Sequence, residues 1–176
     1  MVAMLDIGYA FPSLFDVYGN PLFDVIRSFD SLGAHTYDPL FPQFSDLTYV
    51  AGGYGYWIKM KQPMNMLING IRANATDTLP LHSGWNPIGY WNNTVKYSAV
   101  SQPTVAFPGD ISGYQQVGNM DAIITSIFGQ YDVIRSHDIN GAHTYDPALG
   151  TFNDMNYMAP GYGIWIRMKQ VGNLSY

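Results

Sequence analysis

Cysteine is absent from this 176-residue chain, which excludes disulfides and thiolate chemistry, though not any compartment. Glutamate is absent as well: all thirteen acids are aspartate. Glutamate and lysine favour exposed helix faces, whereas aspartate and asparagine favour turns and caps. With four lysines, 18 glycines and 14 tyrosines, the composition predicts a mainly β chain. Charged residues make up only 12%, about half the usual share of roughly 25%. The net charge is −5 and no basic stripe occurs, so nucleic acid is not an expected partner. No apolar run approaches the roughly 20 residues of a membrane helix, so membrane insertion is not expected either. No secretory signal opens the chain, so an exported protein would be represented here by a mature fragment.

What the chain does contain is a repeat. Asp24 to Gln62 and Asp132 to Gln170 align without a gap at a constant offset (132 − 24 = 108), with 25 of 39 positions identical. The protein is therefore expected to be two tandem homologous modules. The first covers 1–72 and is N-terminally incomplete; the second covers 79–176. Each is expected to be a small β sheet with about one short helix, the two packing through a pseudo-twofold interface, because units this small bury too little surface alone.

Local patterns place the elements. Met1 to Met4 reads as an opening strand and Pro12 to Tyr18 as a short helical segment. Gly84 to Trp91 reads as an aromatic strand, and Thr94 to Val100 with Thr104 to Phe107 as a hairpin. Met120 to Phe128 carries the clearest helix pattern, with Asn119 as N-cap and Met120, Ile123, Ile124, Ile127 and Phe128 on one face. Tyr131 to Ser136 and Ala142 to Tyr145 flank an Asn-Gly turn. In the closing strands, side chains alternate. Tyr54, Tyr56, Ile58 and Met60, like Tyr162, Ile164, Ile166 and Met168, form the core face. Gly55, Trp57, Lys59 and Lys61, like Gly163, Trp165, Arg167 and Lys169, form the other.

At these residues the chain resembles a repeat module of bacterial and archaeal secreted or cell-surface proteins. Gly84-Trp85-Asn86 matches the opening strand of such modules. Gly53 to Lys59 and Gly161 to Arg167 match their Gly-Tyr-Gly-Tyr-Trp-Ile-Lys closing strand. The Tyr-Asp-Pro at Tyr37 to Pro39 and Tyr145 to Pro147 also fits. The resemblance implies a mainly β, extracellular accessory module, appended to other domains of a larger parent protein. It implies no established ligand and no functional residue.

The candidate ligand-binding residues are Trp57, Trp165, Lys59, Arg167 and Trp91. Pyranose C–H faces stack on flat aromatic rings, and the neighbouring cations can bond hydroxyls. The alternative is that Trp57 and Trp165 pack under the helix or against the other copy, beneath Lys and Arg stems. Asp138, Asn140 and Asp146 are candidate calcium ligands, since calcium takes six to eight oxygens. The same residues also suit ordinary Asx turns. No other cofactor is expected. His35 and His143, in Gly-Ala-His-Thr-Tyr-Asp-Pro, invite a metal or general-base reading, against a structural one in which each bonds its own turn. No Gly-x-Ser-x-Gly elbow occurs. The sequence thus points to a non-catalytic extracellular module with carbohydrate, a polysaccharide or cell-surface glycan, as leading ligand class. A structural spacer of a surface protein stands second, and a hydrolase with Asp and His at the seam of the copies third.

Overall fold

The computed structural model describes residues 4–71, 73–74, 76–99, 101–104 and 111–176. Most of Met1–Met4, and the second arm of the expected 94–107 hairpin from 105 onward, lie outside them. In the first copy, β1 (Met4–Asp6) runs into α1 (Ile7–Ala10), capped where Asp6 accepts from the Gly8 N–H. Then follow β2 (Phe23–Asp30), β3 (Gly33–Tyr37), β4 (Tyr49–Ala51) and β5 (Trp57–Met60). The second copy holds β6 (Leu79–Leu81), β7 (Gly84–Gly89), β8 (Thr94–Tyr97), β9 (Gly113–Gln116) and β10 (Tyr131–Asp138). It closes with β11 (Gly141–Tyr145), β12 (Tyr157–Met158), β13 (Gly163–Met168) and β14 (Gly172–Leu174). The mainly β expectation holds.

Equivalent strands pair in equivalent register. Ile26 faces Tyr37 as Ile134 faces Tyr145, and Arg27 faces Trp57 as Arg135 faces Trp165. The β1–β4 pair matches β8–β12, with Asp6 opposite Tyr49 and Tyr97 opposite Tyr157 (157 − 49 = 108). The sheets differ at one edge. Among the described residues, the sheet of the second copy has four strands in the order β11-β10-β13-β7, whereas that of the first has three, β3-β2-β5. The second copy also gains β14 paired with β6.

The core follows that difference. Among the described residues, seventeen buried ones cluster in the second copy, including Ile134, Ile164, Ile166 and Met168, and eight in the first. The closing-strand faces are as the alternation predicts: Ile164, Ile166 and Met168 are buried between exposed Gly163, Trp165 and Arg167. In the first copy, Tyr56, Ile58 and Met60 pack against the core but stay only half-buried.

Two local expectations are corrected. Met120 to Phe128 forms two 3-10 turns, Met120–Ala122 and Thr125–Ile127, rather than one helix. Ile124 between them leaves helical geometry (φ −121°, ψ 42°). Nine residues rich in β-branched side chains nucleate a helix poorly. The Asn119 cap survives, and Met120, Ile123, Ile124 and Ile127 are buried as expected, but Phe128 is exposed. The second correction concerns Thr94–Tyr97, which pairs in parallel with β9 rather than in a hairpin. At the end of the second copy, Gly172 and Asn173 lie within β14, opposite Leu81 and Pro80.

The copies meet along β7. Its Ile88 faces Ile164 on one side and bridges Tyr54 of the first copy on the other. The Gly55 N–H donates to the Pro87 carbonyl and the Gly89 N–H to the Gly53 carbonyl, both at 3.0 Å. A Cβ on Gly55 would stand 2.8 Å from the Ile88 backbone nitrogen. Only glycine permits this approach.

Candidate binding site

The register of β10, β11, β13 and β7 builds a row of side chains on the outward sheet face. Thr144 lies opposite Arg135, Arg135 opposite Trp165, and Trp165 opposite Pro87. Residues directly opposite across strands share a face. One step along, Arg167 lies opposite Trp85. The first copy repeats the start of the row with Thr36, Arg27 and Trp57, and places Lys59 opposite Val25. Trp57 and Trp165 are thus brought to equivalent outward positions, each flanked by a cation of its own strand.

Neither tryptophan is buried. Trp57 is 64% exposed and Trp165 is 39% exposed. Trp165 also packs across the seam: its ring centroid lies 6.4 Å from Phe29 of the first copy and 6.4 Å, edge-on, from Trp85. The Arg135 guanidinium sits 5.3 Å from the Trp85 ring centroid, within cation–π range. Trp165 therefore combines an open face with the packing against the other copy that was the alternative. The flanking cations are tethered by acids. Lys59 pairs with Asp24 at 2.9 Å, and Arg167 and Lys169 both stand 3.8 Å from Asp132.

Trp91 does not join this face. It is half-buried against the C-terminal Tyr176, ring centroids 4.5 Å apart, at the margin of the second core. Arg135, Arg27 and Phe29 also lie at the site and were not singled out in the sequence, and Trp85 joins them although the sequence marked it only as part of the opening-strand motif. The arginines could have been found by running the register back from the two-residue turns at Ser31-Leu32 and Ile139-Asn140. Trp85 and Phe29 arrive through tertiary packing and carry no local signal.

The calcium candidates are occupied in turns. Asp138 Oδ1 accepts from the Asn140 N–H (2.6 Å) and lies 2.9 Å from His143 Nε2, while Oδ2 accepts from Tyr157 Oη. Asp146 caps its own loop through the Ala148 N–H at 2.8 Å. Among the described residues no three acidic or histidine groups form a metal-holding cluster. Burial works to raise the Asp138 carboxyl, but the bonds from Tyr157 and His143 outweigh it and hold it down to about 2. The histidines act as clasps. His35 sits between Asp30 and Asp46, 2.9 Å from each. His143 sits between Asp138 (2.9 Å) and Asp154 (3.4 Å). The hydrogen bond with Asp30 raises the His35 pKa, burial opposes it, and Asp46 adds to the rise.

A seam cleft of about 470 Å³ is lined by Phe29, Asp30, Tyr54, His82 and Asn86 among others, but by neither His35 nor His143. Asp30, which lies 2.9 Å from His35, is the one aspartate of the two clasps that also reaches this cleft, where it lies with His82.

No family model matches the chain, and no curated protein or solved structure matches it. The site's own chemistry therefore carries the functional argument.

Proposed function

We propose that the chain is a non-catalytic extracellular binding module whose ligand is carbohydrate. The carrying observation is the pair Trp57 and Trp165: equivalent in the repeat, on the outward sheet face and open to solvent. Large aromatics usually bury most of their surface. Keeping two of them open at matched positions costs burial energy, which a stacking role explains. Lys59, Arg167 and their aspartate partners supply hydroxyl-directed donors and acceptors beside the rings. Two weak sites engaging one polymer gain effective concentration. Appended domains of a larger surface protein belong to this reading, and calcium enters only as a variable of the test.

The test is tryptophan fluorescence and pull-down against soluble and insoluble polysaccharides, with and without calcium. Wild type is compared with the Trp57→Ala/Trp165→Ala double variant. Saturable binding that the folded double variant loses is the expected result. No binding by wild type across the panel overturns the reading. The spacer then comes forward, favoured by the Phe29, Trp85 and Trp165 cluster that ties the copies together.

A further inference from the structure

The two copies treat one strand edge differently. In the second copy, the edge of β13 away from β10 is covered along its whole length by β7, from Gly163 opposite Gly89 to Met168 opposite Gly84. In the first copy, β5 is the last strand of its sheet, and no strand among the described residues pairs along its outer edge. Among the described residues, the backbone pairing of β7 with the first copy lies at Gly53 to Gly55, before β5 begins, and β7 otherwise packs against β2.

The exposed groups can be assigned. β2 and β3 close on a two-residue turn with Asp30 opposite Gly33. A pair closing a two-residue hairpin exchanges its hydrogen bonds, and backbone groups alternate sides from there. Arg27 then faces β5, Trp57 faces back to β2, and the N–H and C=O groups of Ile58 and Met60 point outward. Their equivalents, Ile166 and Met168, point at β7 and lie opposite Asn86 and Gly84.

The core beneath records the same deficit. Ile166 and Met168 are buried, but Ile58 and Met60 are only half-buried. Trp57 is more exposed than Trp165, which has Trp85 of β7 at its edge. Short edge strands are ordinary in proteins. Here, however, the same residues in the sister copy accept a particular strand, so the internal homology names the occupant.

We propose that β5 is an acceptor edge for an extended strand of the β7 kind, Gly-Trp-Asn-Pro-Ile-Gly, delivered by another polypeptide carrying this opening strand. Main-chain bonds to Ile58 and Met60 supply affinity, and the incoming tryptophan packing by Lys59 and Trp57 sets the register. The proposal is independent of carbohydrate binding, because Trp165 keeps its open face with β7 in place. Asn86 closes the turn ahead of β7 by bonding both the N–H and the carbonyl of His82, so a donor strand includes that residue.

The test is amide hydrogen exchange on the full chain with a synthetic peptide of residues 82–91, His-Ser-Gly-Trp-Asn-Pro-Ile-Gly-Tyr-Trp. Exchange at Ile58 and Met60 should slow about tenfold once nine-tenths of the protein is bound. The same peptide N-methylated at its Asn and Ile keeps the side chains, loses two ladder donors, and should give no protection. A scrambled peptide should give none. Absence of protection at Ile58 and Met60 with millimolar peptide overturns the proposal. Equal protection by the N-methylated or scrambled peptide also overturns it. So does a change at Ile164 and Ile166 alone, which would mean that the peptide exchanges with β7 instead of adding to β5.

Discussion

Gly55 and Gly163 occupy the same place in the repeat but meet different surroundings, and alanine at each should separate them. At Gly55 a Cβ would lie 2.8 Å from the Ile88 nitrogen, 3.0 Å from its oxygen and 3.0 Å from the Pro87 carbonyl carbon. All three are backbone atoms, so no side chain can swing away. β7 must retreat by roughly half an ångström or more, straining two backbone bonds of 3.0 Å each. Overpacking costs about 1–3 kcal/mol, and each weakened bond about 0.5–1.5 kcal/mol. Restricting the unfolded chain returns about 0.4–1 kcal/mol. Gly55→Ala is therefore expected to destabilise by about 1–5 kcal/mol. At Gly163 a Cβ meets nothing within 4 Å, and the same unfolded-state term leaves Gly163→Ala neutral or stabilising by up to about 1 kcal/mol. Urea unfolding followed by tryptophan fluorescence measures both. Values for the two variants within about 0.5 kcal/mol of each other would refute the close approach of β7 to Gly55.

Three further outcomes are expected. Asp138, 7% exposed, has its carboxyl held at about 2 against an ordinary value of 3.8; that difference corresponds to about 2 kcal/mol. A depressed acid stabilises above its unfolded pKa and loses that contribution as pH falls through the folded one, so urea midpoints of wild type between pH 4 and 2 should fall more steeply than those of Asp138→Asn. His35, with a raised pKa, runs the other way: its contribution is complete below the unfolded value of about 6.5 and fades as pH rises through the folded one. The stability gap between wild type and His35→Gln should accordingly shrink from pH 6 to pH 8; a gap that widens contradicts the clasp. Asp121 accepts from both Tyr131 and Tyr145 hydroxyls, so Asp121→Ala strands two phenols and should lower the thermal midpoint by an amount equivalent to about 2–3 kcal/mol.

The parts of the fold carried by short-range pattern were legible. The alternation of Ile164, Trp165, Ile166 and Arg167 states which face is buried, because a strand has a period of two. The hairpin around Asn140 and Gly141 follows from its turn residues. The 3-10 break at Ile124 was not legible, because the apolar spacing of Met120, Ile123, Ile124 and Ile127 suits a helix and two successive turns alike. Packing chose between them, with Asp121 drawn to Tyr131 and Tyr145. The parallel pairing of β8 with β9 was hidden for another reason: nothing in Thr94 to Tyr97 encodes a partner some fifteen residues away. At the candidate site the exposed tryptophans lay on the face named in advance. Trp85 and Phe29 were missed because they reach Trp165 from other strands, one of them in the other copy.

The β6–β14 pair has a mechanical consequence. Leu79 stands opposite Leu174 and Leu81 opposite Gly172, so the second copy's entry and exit lie side by side. β7 and β13 repeat the geometry, with Gly84, where the chain enters, opposite Met168, where it leaves. A pulling force between residues 79 and 174 therefore loads each antiparallel pair from one end. Its hydrogen bonds break in sequence, as a zipper opens, rather than together in shear. The same adjacency lets the module be carried as a pendant on a tensioned chain, adding little to its contour length until the zipper gives way.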